Sequence, residues 1–78
     1  MSRAAALIEV VTERLGLEPG ALRPETRLAD AQLDSLDMLE VALTIEKHTG
    51  VEIPDAAFPT FATVGDVVAF VEAARVPV

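Results

Sequence analysis

The chain has 78 residues with 13 acidic and six basic side chains, no cysteine, and a formal charge of −7. This length suits one small domain, and the lack of cysteine excludes a disulfide, a thiolate metal site and a thiol nucleophile. The charge disfavours binding to nucleic acid or anionic lipid and favours partners with basic patches, unless it only keeps an apolar-rich domain soluble.

Neither a membrane span nor a secretory signal is predicted. No stretch approaches the roughly 20 apolar residues that a transmembrane helix needs. Glu9 interrupts the short apolar run near the N-terminus, which lacks the pattern of a secretory signal. We therefore expect a cytoplasmic protein, and a monomer.

The first predicted element is a helix from about Arg3 to Leu15, capped by Ser2 and ended by Gly16. Apolar residues recur at helical spacing along it: Ala4, Leu7, Ile8, Val11 and Leu15. The connection that follows, residues 16–34, is long for so small a domain. It has room for a short helical turn, and we expect its leucines to pin it to the core: Leu17, Leu22, Leu28 and Leu33.

A second helix is predicted from about Ser35 to Thr49, ended by Gly50 and followed by a short extended crossing over residues 51–54. Asp55 is expected to cap one turn that Pro59 stops. The last helix begins with a capping-box pattern and ends near Ala74, before a tail frayed by Pro77. Its cap residues are Thr63 and Asp66, and its inner face is Val64, Val67, Val68 and Val71. The prediction is an all-α fold: a small bundle of three main helices plus one short helical turn, with a long loop between helices 1 and 2.

Three faces appear when the second helix is projected at about 100° per residue. A polar arc comprises Asp37, Glu40, Thr44 and Lys47, and an apolar stripe comprises Met38, Val41, Ala42 and Ile45. A second apolar stripe lies between Glu46 and the polar arc, and comprises Leu36, Leu39 and Leu43. Either the helix is central and buries both stripes, or the leucines form an exposed ridge framed by carboxylates, suited to a partner that is basic around an apolar patch.

Ser35 lies at the start of this helix, where its hydroxyl is expected to be exposed. A catalytic serine needs a positioned base. The one histidine, His48, is further along the same helix, about 20 Å away at 1.5 Å per residue. We therefore predict no catalytic residue, and expect that another protein modifies this serine.

The acidic residues near Ser35 allow other interpretations. Asp30, Asp34 and Asp37 lack the alternating ligands, central Gly and distal Glu of a calcium loop, so no resident metal is predicted. Paired carboxylates for acid–base catalysis would need a cleft, for which the chain has little room. Asp34 is a good helix cap, but capping by Asp34 leaves Asp37 unexplained.

The segment from Asp34 to Leu36 resembles the phosphopantetheine attachment motif of the acyl carrier proteins, which begins the second helix of that family. The resemblance extends from the first helix to about Ala74. Further matches are Asp37, Leu39, Glu40 and Ile45, then Gly50-Val51-Glu52-Ile53-Pro54-Asp55 and Thr63-Val64-Gly65-Asp66-Val67.

This resemblance implies that a separate phosphopantetheinyl transferase attaches 4′-phosphopantetheine from coenzyme A to Ser35. Asp34 and Leu36 would complete the cofactor motif, with Asp34 helping to place it in the magnesium-bearing site of that enzyme. The terminal thiol would hold an acyl group as a thioester for an acyltransferase, ketosynthase or other acyl-processing enzyme with a basic docking patch. Residues 1–78 would be a single carrier domain, folded over about 2–75. The partner-docking residues would be Asp37, Leu39, Glu40, Leu43 and Glu46, together with Leu36.

The residues themselves agree with a carrier. A chain without cysteine needs an imported thiol to form a thioester. A phosphate on Ser35 would lie at a helix N-terminus, which favours anions, while Asp34 and Asp37 would repel it. The arm is therefore expected to be tethered and mobile.

The chain departs from the family pattern at both ends of the second helix. Members of the family usually have Gly three residues before the serine. Here that position is Gln32, and Leu33 follows it. Lys47, His48 and Thr49 stand where many members have acids and an aromatic residue. These departures favour a dedicated carrier in a specialised fatty-acid or polyketide-type pathway. The alternatives are an aminoacyl or peptidyl carrier of nonribosomal synthesis, and an unmodified acidic interaction module.

Overall fold

The structure is a computed structural model that describes residues 2–75. Over these residues the chain forms three α-helices and a 3-10 helix. The one β-bridge among them is an isolated antiparallel pair, Arg27 and Thr63. The predicted all-α bundle of three main helices and one short helical turn is confirmed, and the tail predicted at Pro77 lies outside the described residues. The helices are α1 (Arg3–Arg14), α2 (Ser35–Thr49), the 3-10 helix (Asp55–Thr60) and α3 (Val64–Ala74). None of these helices has the length and apolar character needed to cross a membrane.

The core forms where α1 packs against both α2 and α3. The four valines predicted for the inner face of α3 are all buried, and α1 contributes Leu7 and Val11. Thr12 is also buried, which the apolar pattern did not predict. Its hydroxyl donates a hydrogen bond to the carbonyl of Ile8 at 2.7 Å, so the polar group is satisfied inside the protein.

One side of α2 is buried as predicted, but the polar arc needs a correction. Val41 and Ile45 are buried, while Met38 and Ala42 are half-buried. Thr44, which we placed on the polar arc, is also buried. The reason is that α1 packs on that side of α2, where Arg14 bonds to Glu40.

The long connection is held to the beginning of α3 by backbone hydrogen bonds. Leu28 N donates to Ala62 O at 3.0 Å, and Val64 N donates to Thr26 O at 2.9 Å. Leu22 is the one buried leucine of the four, while the others are half-buried: Leu17, Leu28 and Leu33. The connection therefore packs as expected, but long-range backbone bonds do much of the anchoring. The bond from Ala31 N to Arg27 O, at 3.1 Å, provides the short helical turn.

Gly65 permits the closest approach between this connection and α3. Its N–H donates to the carbonyl oxygen of Pro24 at 2.8 Å, and a Cβ added at Gly65 would lie 2.9 Å from that same oxygen. A side chain at this position would push the connection away from the helix.

The prediction for residues 55–60 was wrong in two details. The N-cap is Pro54 and the side chain of Asp55 makes no capping bond; the first bond runs from the N–H of Ala57 to the carbonyl of Pro54. The 3-10 helix also continues through Pro59 to Thr60. Pro59 has no N–H to donate, but Phe61 N still donates to Phe58 O at 3.0 Å across it.

Candidate functional site

Ser35 is the first residue of α2 and is exposed, as the sequence predicted. Asp34 precedes it in extended backbone, with φ −88° and ψ −176°, and serves as the N-cap. The helix therefore begins at the serine, whose side chain lies at the boundary between the connection and α2. This position makes the hydroxyl accessible to another protein.

The two aspartates around Ser35 form a reciprocal capping box. The N–H of Asp37 donates to Oδ1 of Asp34 at 2.8 Å, and the N–H of Asp34 donates to Oδ2 of Asp37 at 3.3 Å. Our inference that capping leaves Asp37 unexplained was therefore wrong, because Asp37 completes the motif. The two carboxylates also lie at the positive end of the helix dipole.

The backbone just before this motif is left-handed at Gln32. Its φ is +57°, the only positive φ outside glycine among residues 2–75. Glycine adopts this conformation without strain, whereas other residues rarely do. Gln32 therefore replaces the family's usual Gly at a position where the backbone conformation favours glycine.

Among residues 2–75, the one histidine lies far from Ser35. His48 is exposed on the last turn of the same helix, so the two side chains are separated by about 20 Å along its axis at 1.5 Å per residue. Across residues 2–75, no three His, Asp or Glu side chains are grouped so that they could hold a metal ion. His48 is therefore too distant to act as a base for the Ser35 hydroxyl.

Three leucines project from α2 into solvent and form what we call the leucine ridge: Leu36, Leu39 and Leu43. Their exposures are 71%, 52% and 51%, and they are the large apolar side chains exposed in the described part of the chain. The alternative in which α2 buries both apolar stripes is therefore wrong. An exposed apolar ridge beginning beside Ser35 is a surface suited to binding a partner.

The carboxylates predicted to frame the ridge differ in their surroundings. Glu46 is exposed, whereas Glu40 is half-buried and accepts a hydrogen bond from Nε of Arg14 at 3.1 Å. Sequence reasoning missed this pair, because the two residues are 26 positions apart and belong to different helices. Arg14, Glu40 and Glu46 all line a surface groove between α1 and α2, which we call the α1–α2 groove.

Behind the beginning of α2 lies an apolar cavity of about 30 Å³. Its walls come from all three α-helices and the connection, and include Leu33, Met38, Val41 and Val68. A space of this size holds little more than a water molecule. An acyl chain would therefore enter the bundle only if the helices moved apart.

The site fits the phosphopantetheine arm that the resemblance implies. The hydroxyl of Ser35 is exposed, and the neighbouring carboxylates are engaged by backbone N–H groups. The first N–H groups of a helix have no acceptor within it, so the beginning of α2 also suits a phosphate.

Comparison with known proteins agrees with this geometry. Residues 5–71 match the family described as "Phosphopantetheine attachment site". The meromycolate extension acyl carrier protein of Mycolicibacterium aurum is 42% identical over 69 residues, covering 87% of this chain and 71% of that protein. The protein of the same name from Mycobacterium tuberculosis is 41% identical over the same length, and the chain spans 60% of it.

A shorter relative gives the same result. The acyl carrier protein of Wolinella succinogenes is 40% identical over 65 residues, covering 82% of this chain and 86% of that protein. The matched family and these relatives show that the chain belongs to the acyl carrier proteins, which bear a covalently attached 4′-phosphopantetheine.

Proposed function

We propose that Ser35 is the attachment residue and that a separate phosphopantetheinyl transferase loads it from coenzyme A. The observation that carries this assignment is the exposed hydroxyl at the first position of α2. The only other serine, Ser2, caps α1 by accepting a bond from Ala5 N, and it lies outside the residues that match the family. Ser35 is thus the one serine that combines exposure with the family match.

When bound, the arm supplies the thiol that this cysteine-free chain lacks, so that acyl groups are held as thioesters. The protein's own residues present the arm. Asp34 and Asp37 fix the beginning of α2 and, by repelling the phosphate, keep the arm off the surface. Leu36 is the exposed side chain next to the serine. The transferase would recognise the motif by contacts with Leu36 and Asp34.

The leucine ridge is proposed as the docking surface for acyl-processing enzymes such as an acyltransferase or ketosynthase. Support comes from the exposure of its leucines and from the carboxylates beside it. The docking residues are Asp37, Leu39, Glu40, Leu43 and Glu46. Of these, Glu40 also forms an ion pair with Arg14. The relatives' names support an acyl-carrying role. We propose a specialised fatty-acid or polyketide-type pathway, served by a cytoplasmic, monomeric carrier.

The test is intact-mass analysis after incubation with a phosphopantetheinyl transferase and coenzyme A. Wild type and Ser2→Ala should each gain the mass of one phosphopantetheine, whereas Ser35→Ala should gain none. Ser2→Ala is the matched control because it removes the only other serine. Absence of any adduct on wild type would favour an unmodified interaction module, and an adduct on Ser35→Ala would place the site elsewhere.

A further inference from the structure

The leucine ridge differs in charge between its two ends. At the Ser35 end are Asp34 and Asp37, whose carboxylates bond to backbone N–H groups and not to a basic side chain. At the other end, two bases and a histidine line the α1–α2 groove together with Leu43: Arg14, Lys47 and His48. These are three of the seven Lys, Arg and His side chains of a chain with charge −7. Basic groups thus occur where the ridge ends, alongside carboxylates.

The far end is mixed in sign. The same groove also contains the carboxylates of Glu13, Glu40 and Glu46. Arg14 is engaged with Glu40, but Lys47 forms no ion pair with any residue from 2 to 75. Lys47 is exposed and lies one helical turn beyond Leu43, so its ammonium continues the line of the ridge. Glu46 is exposed beside it, so a partner at this end meets both an ammonium and a carboxylate.

We propose that the acyl-processing partner of this chain has a docking patch of mixed sign: basic opposite Asp34 and Asp37, apolar opposite the leucine ridge, and acidic opposite Lys47. This inference rests on the proposed carrier function and names the partner surface that serves it. Complementary charges at an interface fix orientation and exclude wrong partners more than they add affinity. A partner patch that carries both charges would bind α2 in one orientation only, with Ser35 near the basic part of the patch.

The sign of the effect of reversing Lys47 tests this proposal. The probe is a purified acyltransferase from the source organism that loads the phosphopantetheinylated chain, assayed by kcat/KM with acyl-coenzyme A. We expect Lys47→Glu to lower kcat/KM about three- to tenfold and Lys47→Gln about twofold, with both losses reduced at high salt. A uniformly basic patch predicts the opposite, because Lys47→Glu would add a favourable charge. An unchanged or increased kcat/KM would overturn the proposal.

Arg3→Glu is the matched control for net charge. It makes the same reversal at an exposed residue of α1 that is absent from the α1–α2 groove. Its kcat/KM should equal that of wild type. Equal losses in the Arg3 and Lys47 variants would show a general charge effect and contradict a local contact.

Cross-linking gives a second readout, since Lys47 is the only lysine of the chain. A zero-length carbodiimide reagent should join the Lys47 amine to a carboxylate of the acyltransferase, as located by peptide mass mapping. Cross-links only between lysines of the enzyme and Glu46 or Glu40 would overturn the proposal. Loading of Ser35 by the phosphopantetheinyl transferase is measured separately, so failure of the mixed patch leaves the carrier assignment standing.

Discussion

The capping box around Ser35 allows the structural and functional roles of Asp34 to be separated. Replacing Asp34 by alanine removes the acceptor of the 2.8 Å bond from Asp37 N and leaves a helix N–H without its cap. Replacing it by asparagine keeps a side-chain oxygen at that position but removes the charge. The first change should destabilise the fold, and the second should not.

The expected loss follows from the single cap bond. Substituting an N-cap residue by alanine costs about 0.5–2 kcal/mol of unfolding free energy. A chain of 78 residues has a total of about 4–12 kcal/mol, at roughly 0.05–0.15 kcal/mol per residue. Since about 1 kcal/mol shifts the melting temperature of a domain this size by roughly 4–8 °C, Asp34→Ala should melt several degrees below wild type. Asp34→Asn should melt within about 2–4 °C of it, since a change within about 0.5 kcal/mol is expected when the acceptor is retained.

The assay is thermal unfolding followed by circular dichroism, paired with the rate of phosphopantetheine loading well below the melting temperature. Asp34→Asn should be nearly as stable as wild type yet be loaded more slowly, because the proposed role at the transferase needs the carboxylate. Thr63→Ala is the matched control. It removes the equivalent cap of α3, a 3.1 Å bond from Asp66 N, away from Ser35, so it should lower stability without slowing loading.

Two results would refute this reasoning. If Asp34→Ala had the same melting temperature as wild type, the cap bond would contribute nothing to stability, and the structural role assigned to Asp34 would be wrong. If Asp34→Asn were loaded as fast as wild type, the charge of Asp34 would have no part in recognition by the transferase.

Gln32→Gly should raise the melting temperature by a few degrees, and Gln32→Val should lower it, because φ is +57° there; equal melting of the two variants would contradict the strain argument. Gly65→Ala should destabilise by about 1–3 kcal/mol in urea unfolding despite the better helix propensity of alanine, since its Cβ would meet the Pro24 oxygen; a stabilised variant would refute that contact. Ile45→Ala should cost about 2–5 kcal/mol in the same assay, and a loss below 1 kcal/mol would argue against its burial. The pKa of Asp66 is held below its ordinary value by the N–H groups of Ala62 and Thr63, and by the Thr63 hydroxyl. A depressed carboxyl pKa contributes stability that is fully present above the unfolded value of about 4 and is lost as the pH falls through the lower folded value. Between pH 7 and pH 2, the free energy of unfolding should therefore decrease less in Asp66→Asn than in wild type. Equal decreases in the two proteins would count against these bonds.

The boundaries of α2 were predictable because both ends carry local signals. Asp34 caps its beginning, and Gly50, at φ +73°, ends it in the left-handed conformation that glycine favours. The inner face of α3 was predictable for the same kind of reason, since four valines repeat at helical spacing behind a capping box. The extent of the domain over residues 1–78 stays a prediction.

Other features depend on contacts between distant parts of the chain. The burial of Thr44 depends on which side of α2 meets α1, and the pairing of Arg14 with Glu40 follows from that same crossing. The anchoring of the connection uses backbone groups, such as Leu28 N and Ala62 O, that leave no trace in residue type. The Asp34 capping box had a local signal, an acid three residues later, but an aspartate at that position departs from the usual Glu or Gln.

Protein purified from its native host provides the most direct test of the account. Cleavage after Arg27 and Lys47 releases residues 28–47, a peptide in which Ser35 is the only serine. Fragmentation mass spectrometry should find phosphopantetheine, with or without a thioester-bound acyl group, on Ser35 of this peptide. Recovery of the peptide only in unmodified form, or with the group on another residue, would contradict the account.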